Sequence, residues 1–325
     1  MAATLNPIHR ALSHLAVGGF GLLSGAIRIM PPALWGWAAG AIAPLLWWFL
    51  PRYRLKAMEN LIAQGRTPAE ARKIGMACFR SNLLVFFESL AMPRLLARRG
   101  VHVESRVSPA AQRVIEQLKS GEETIALAVG GHTGVWEFVG AELARLAAPA
   151  PCVVSARLVK NPIIRNYLIG LRRSFGIHIV EKDDFLRFLF KNFRNRDPHI
   201  YVFLCDQHSK GGARAPFMGR PACTVTVPAN LIRKYRMPVF TGRCRRRKAG
   251  DYLCEIDLLD TSPSLDLPEK EMVFAITETI NTHIEENIAA AHEQWTWGHR
   301  RWRPCCGEKE VSRQGAKNAK AAGKK

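Results

Sequence analysis

The sequence predicts an α/β domain, a sheet flanked by helices, carried behind a hydrophobic helical N-terminus. Three observations lead there. Residues 11–50 hold a single formal charge, Arg28; residues 54–98 carry helical patterning with almost no β-branched runs; and from about residue 108 short apolar runs alternate with helical stretches. That last alternation is the pattern of strands and helices taking turns along one chain. With 325 residues, 48% of them hydrophobic, a large core is within reach, and disorder or a collagen-like repeat is excluded for the chain as a whole.

The elements follow in order. Ala11 to Ile27 and Ile29 to Pro51 are uncharged. The second run is long enough to cross a bilayer, which needs roughly 17–25 apolar residues. Trp47 and Trp48 close it, and Arg52, Arg54 and Lys56 follow, so the positive-inside rule puts the rest of the chain in the cytoplasm. A secretory signal is disfavoured, because the apolar length exceeds an h-region. A buried core hairpin is the other reading, since Pro31, Pro32 and Pro44 interrupt any straight helix. Thr67-Pro68 with Glu70 reads as a capping box with proline at the first helical position. Strands are expected at 124–129, 152–156, 177–180, 199–205, 237–244 and 252–259. Helices are expected near 134–147, 161–175, 183–195, 228–236 and 268–291. After Pro304 the chain turns into Lys/Ala/Gly of low complexity, read as a disordered basic tail. The expected division is therefore an anchor at 1–51, the α/β domain with its leading helices at 52–304 and a tail at 305–325.

The charge is lopsided: 47 Lys+Arg against 27 Asp+Glu give a net +20. That surplus points to a phosphate-rich partner, either anionic lipid or nucleic acid. Eight cysteines without a C-x-x-C pair or a scaffold spacing read as reduced thiols of a cytoplasmic protein, with no structural zinc and no disulfide framework expected.

Phosphate-loop, dinucleotide, zincin and serine-hydrolase signatures are missing from the sequence. What stands out is GGHTGVWE, residues 130–137, between an expected strand and an expected helix. His132 and Glu137 form an H-x4-E pair. Such a spacing arises by chance about 0.8 times in a chain with ten His and 27 acids, and His178 with Asp183 is a second, incidental case. Within one helix five residues separate side chains by about 140°, so the two can meet only if His132 sits in the turn before the helix. Gly130 and Gly131 would supply that turn. Glu137 would then accept the Nδ1 proton and leave Nε2 as a base, beside the free N–H groups of a helix start. Cys205, inside an aliphatic run, reads as a buried inert thiol.

With this block in place, the chain resembles the late acyltransferases of lipid A biosynthesis, the lauroyl/myristoyl transferase group of the glycerolipid acyltransferase-like superfamily. The ordered pieces are GGHTGVWE, SARLVKNPIIRNYL (155–168), FLCDQH (203–208), APFMGRPACTVTVPANL (215–231) and EQWTWGHRRWRP (293–304). The resemblance implies a mixed central sheet, His132 as base, Glu137 as its orienting carboxylate, Arg157 as active-site arginine, and Asp206 completing the polar site. His292 and Val227 depart from the family pattern. The implied reaction moves a fatty acyl group from acyl carrier protein to a hydroxyl of a phosphorylated lipid A precursor at the inner membrane. It requires no cofactor beyond the acyl thioester co-substrate and no metal. A related glycolipid acceptor, such as a phosphatidylinositol mannoside, would suit the same chemistry. Lys160, Gln207, Arg243, Arg245, Arg247, Arg300 and Arg301 are the expected substrate-binding residues, meeting phosphate headgroups, the carrier protein or the anionic membrane surface. On a strand, Arg243, Arg245 and Arg247 should share one face and Arg246 the other. A membrane-tethered nucleic-acid-binding protein is the reading from another class, carried by the net charge and RCRRRK; no nucleic acid is expected as partner, because no recognition motif for it is present.

Overall fold

The computed structural model describes residues 6–156, 159–195 and 197–305. It opens with five helices: α1 (Pro7–Ile29), α2 (Pro32–Phe49), α3 (Pro51–Ile62), α4 (Pro68–Leu90) and α5 (Met92–Leu96). Pro7, Pro32, Pro51 and Pro68 each stand at a helix start, where a missing N–H breaks no hydrogen bond. The Thr67–Glu70 capping box forms reciprocally, Glu70 N donating to Thr67 Oγ1 and Thr67 N to Glu70 Oε2.

The alternating region follows. Its elements are β1 (His102–Val107), α6 (Pro109–Ser120), β2 (Ile125–Gly130), α7 (Trp136–Leu146), β3 (Cys152–Ala156), α8 (Pro162–Arg173), β4 (Ile177–Glu181), α9 (Phe185–Asn195) and β5 (His199–Leu204). After a hairpin of β6 (Ala213–Phe217) and β7 (Arg220–Thr224) come α10 (Val227–Tyr235), β8 (Val239–Lys248), β9 (Asp251–Leu258), α11 (Ser262–Leu265) and α12 (Glu269–Ala289). Among the described residues seven strands form one sheet in the order β1-β9-β8-β2-β5-β3-β4. Strands β8, β2, β5, β3 and β4 are mutually parallel, whereas β9 runs antiparallel to β8 and parallel to β1. The sheet is therefore mixed, as the family resemblance implies.

Helices cover both faces. On one side Val114, Ile115, Phe138 and Ala141 of α6 and α7 pack with Phe240, Tyr252, Cys254 and Ile256. On the other, Leu189, Ile232, Ile276, Ile280 and Ile284 of α9, α10 and α12 pack with Leu127, Val129, Tyr201 and Val239. The expected strands all form. Strand β1 and the β6–β7 hairpin lay outside the expectation, for physical reasons. HVESRV is a charged edge strand, and the hairpin sets Pro216 opposite Pro221, residues that count against a strand by pattern.

Two expectations are corrected. The run from Ile29 to Pro51 is not a free span: α2 packs along α4 with Trp35, Ala39, Ala43 and Trp47 buried, and at Leu50 the chain bends by 94° into α3. The helix long and apolar enough to cross a membrane by itself is α1. Second, Cys223 and Cys305 are joined in a disulfide, where free thiols were expected. The segment after α12 folds back on the hairpin, with Trp302 Nε1 donating to Phe217 O and Arg301 to Cys223 O, and this delivers Cys305 to β7. Cys78, Cys152, Cys205, Cys244 and Cys254 are free and buried. The expected tail from residue 306 onward lies outside the described residues.

Candidate active site

Strands β2 and β5 are neighbours in register, with Gly130 opposite Leu204. The residues that follow them must emerge side by side at the carboxyl edge of the sheet, the edge where open α/β sheets bind ligands. Gly131-His132 leaves β2 and Cys205-Asp206 leaves β5, stitched by Cys205 N donating to Gly130 O. His132 Nδ1 then lies 2.8 Å from Asp206 Oδ1, and His132 N donates to Asp206 Oδ2 at 2.9 Å. Trp295 Nε1 donates to the same Oδ2 at 2.8 Å. A side chain at Gly131 would crowd Asp206, its Cβ falling 3.2 Å from that carboxylate's carbons.

The turn is held from a third direction. Gly134 has a φ of +61°, and a Cβ there would fall 2.2 Å from Cys244 O on β8. Only glycine fits. Gly134 N donates to Gln294 O, and the Gln294 side chain brackets the Arg246 backbone through both its N–H and its carbonyl. The strained glycine is thus Gly134 rather than Gly130 or Gly131, and three residues separate His132 from the first turn of α7.

That spacing corrects the expected His132–Glu137 contact. Glu137 sits in the first turn of α7, buried, and accepts two hydrogen bonds from Arg172 of α8 at 3.0 and 2.7 Å. The carboxylate on Nδ1 is Asp206. Burial alone would raise the Asp206 carboxyl, but the charge and hydrogen bonds of His132, with the Trp295 N–H, hold it far below the ordinary range. For His132, burial pulls the imidazole down, and the Asp206 charge and hydrogen bond outweigh it and leave it raised. With Nδ1 facing Asp206, Nε2 is the nitrogen left to act; the Gln207 amide lies 3.5 Å from it, and the Trp136 ring stands edge-on to the imidazole at 5.0 Å. Cys205 is fully buried, and burial pushes its thiol up to about 12, so it is no nucleophile.

His132 opens on a cleft of about 820 Å³. Its walls are apolar, from Leu168 and Ile169 on α8 to Phe185 and Leu186 on α9, and its rim carries Arg165, Lys182, Lys210 and Arg303. Among the described residues Glu137 is the only acid on its lining, and it is already bound by Arg172. None of the four rim cations is among the expected substrate-binding residues. The signal for α8 was readable: Arg165, Leu168, Ile169 and Arg172 fall at i, i+3, i+4 and i+7, one helix face.

The expected substrate residues scatter. Gln207 lines the cleft, while Lys160 is exposed at the turn before α8 and outside the lining. Arg157 lies outside the described residues. Arg243 is bound to Glu255 at 2.6 Å and borders a separate small cavity of about 40 Å³ under the β2–α7 turn. Arg247 is bound to Glu104 at 2.5 Å, Arg245 is half-buried, and Arg300 is exposed. Arg246 points the other way, as strand alternation requires, into a bidentate pair with Glu88. Arg301 is a correction: it is wholly buried, stacked over Phe217, and donates to Gln207 O, Cys223 O and Thr224 Oγ1. Inside a core it cannot meet substrate.

Among known proteins, the family described as bacterial lipid A biosynthesis acyltransferase matches residues 10–304. None of the curated proteins matches the chain.

Proposed function

We propose, given that the chain belongs to the bacterial lipid A biosynthesis acyltransferase family, that it transfers a fatty acyl group from acyl carrier protein to a hydroxyl of a phosphorylated lipid A precursor, with His132 as general base. The observation that carries this reading is the His132–Asp206 pair opening on a cleft that is at once apolar and cationic. An acyl thioester is already activated, so the protein need only move one proton and hold one developing charge.

In the proposed mechanism His132 Nε2 takes the proton of the acceptor hydroxyl as its oxygen attacks the thioester carbonyl carbon. Asp206 keeps the Nδ1–H oriented and balances the imidazolium. The tetrahedral oxyanion is met by N–H groups in the first turn of α7, a turn without a side-chain cap and bordering the cleft at Trp136 and Glu137. As the C–S bond breaks, the imidazolium returns its proton to the departing thiolate, and no covalent enzyme intermediate forms. Glu137 acts at one remove: by binding Arg172 it ties the start of α7 to α8.

The apolar walls suit acyl chains, and Arg165, Lys182, Lys210 and Arg303 suit the acceptor phosphates. This moves the phosphate site away from Arg243, Arg247 and Arg301, whose charges are spent on Glu255, Glu104 and buried carbonyls. The same pairing weakens the nucleic-acid reading, which rested on the net charge and on RCRRRK, the segment that holds Arg243 and Arg247. The test is mass spectrometry of lipid A from cells with and without the gene, alongside acyl transfer by the purified chain from acyl carrier protein. Loss of one acyl chain in the deletion is the expected result. An unchanged lipid A profile with no transfer in vitro would reject it.

A further inference from the structure

Helix α1 has two faces with opposite fates. Ile8, Leu15, Leu22 and Ile29 fall seven residues apart on one side, and all are exposed. The opposite side is docked on the catalytic body along most of its length. Near one end Asn161, which caps α8 by accepting from Ile163 N and Ile164 N, also donates to Ser13 Oγ. In the middle Phe20 meets the rings of Phe86 and Tyr167 at 6.3 and 6.4 Å. At the far end Ser24 Oγ and Arg28 Nε both donate to Leu90 O, at 3.1 and 3.2 Å, and Arg94 donates to the carbonyls of Arg28 and Met30. Ser13 to Arg28 spans roughly 22 Å at 1.5 Å per residue.

A helix crossing the bilayer upright would carry these docking partners into the hydrocarbon. The core is roughly 30 Å thick, so no placement keeps both ends of the docked stretch near one water interface. Lys160, exposed beside Asn161, or Arg98 and Arg99, exposed beyond Leu90, would be immersed. Lysine and arginine at such depth are strongly disfavoured. Helix α2 repeats the design: Trp35, Ala39, Ala43 and Trp47 pack against the body, while Leu34, Trp37, Leu45 and Trp48 point outward. Arg52 and Arg54 stand at its end.

We infer that α1 and α2 do not cross the membrane: they lie in the plane of its surface, outer faces in the acyl boundary and basic ends toward anionic headgroups, which makes the chain a monotopic protein. Since α8 has Leu168 and Ile169 in the cleft and Asn161 and Tyr167 on α1, the cleft wall rests directly on the embedded helix. The inference rests on the proposed membrane attachment but on no step of the chemistry.

Two readouts test it on the full chain in membranes, both independent of acyl transfer. The variant Asn6→Cys should react with a membrane-impermeant maleimide in lysed but not in intact spheroplasts. The double variant Ser13→Cys, Asn161→Cys should form an intramolecular disulfide on oxidation of the same membranes. Labelling of Asn6→Cys from outside intact spheroplasts means a single span and overturns the inference. A shielded Asn6→Cys without the Ser13–Asn161 cross-link means a two-span hairpin and overturns it equally, as does recovery of the chain in the soluble fraction.

Discussion

Two buried carboxylates in this molecule are built alike and do different things. Asp206 accepts from an imidazole and from the Trp295 N–H; Glu88 accepts from the Arg246 guanidinium and from the Tyr252 O–H. Each is at most 2% exposed and pairs with a cation and an aromatic donor. The difference lies in the cation. His132 is an imidazole, a group able to release its proton, and turns its second nitrogen to a large cleft, whereas Arg246 holds its charge at any physiological pH and is sealed between α4 and β8. A buried ion pair becomes reactive only when one partner can give up its proton and be reached.

The comparison breaks most sharply at His132. Replacing it with Ala should lower acyl transfer by the folded fraction about 10²–10⁴-fold, the usual worth of a general base, and should also lower the denaturation midpoint, because Asp206 is left buried without its partner. Activity within tenfold of wild type would remove His132 from the mechanism.

Asp206→Asn should come next, losing about 10²-fold in kcat and moving the pH profile. The base works when neutral, so kcat/KM of the wild type should rise with pH and level off above the ordinary histidine value, because Asp206 raises the imidazole. Without that carboxylate the break should move to lower pH. A variant whose profile keeps its break would show that Asp206 does not tune His132. Glu137→Gln should lose less than Asp206→Asn, since Glu137 touches Arg172 and not the imidazole.

The folded pair also leaves a mark on stability. A lowered Asp206 contributes above the unfolded aspartate value of about 3.9 and is lost as pH falls through its folded value. A raised His132 contributes fully below about 6.5 and is lost as pH rises through its own folded value. The joint contribution is therefore greatest between those limits, and urea titrations across that window measure it.

At the other carboxylate the prediction is inverted. Glu88→Gln leaves Arg246 charged, buried and unpaired, and should destabilise the fold by about 3–5 kcal/mol while kcat of the folded fraction stays within a few-fold. A large loss of kcat at unchanged stability would mean that the Glu88–Arg246 pair reaches the site through Gln294.

The smallest effects belong to the cleft rim. Lys182→Ala and Lys210→Ala should each raise KM for the phosphorylated acceptor about fivefold with kcat little changed, the mark of lost uniform binding. A rise in KM for the acyl carrier protein instead would assign the rim to donor docking.

How far the sequence reached can be judged element by element. CVVSA and HIYVFLC were legible as strands because a strand buried on both faces needs a continuous apolar run. Thr67-Pro68-Ala-Glu70 was legible as a helix start because a capping box is local. His132 was legible as a candidate through its place between a strand and a helix. Its partner was misread, because local spacing favoured Glu137 and the meeting with Asp206 depends on β2 pairing with β5, 74 residues away.

The cations show the same divide. Strand alternation by itself set Arg246 apart from Arg243, and the sequence by itself determined the strand and helix runs, the helix starts at proline and the polar block after β2. Only the tertiary structure decided which arginines are spent on carboxylates, which are buried, and which basic residues face the cleft. Short-range order follows from backbone chemistry that each segment carries with it. A site made from the ends of separate strands, the first turn of α7 and the Trp295 indole exists only where the sheet brings them together, and no local spacing encodes that meeting.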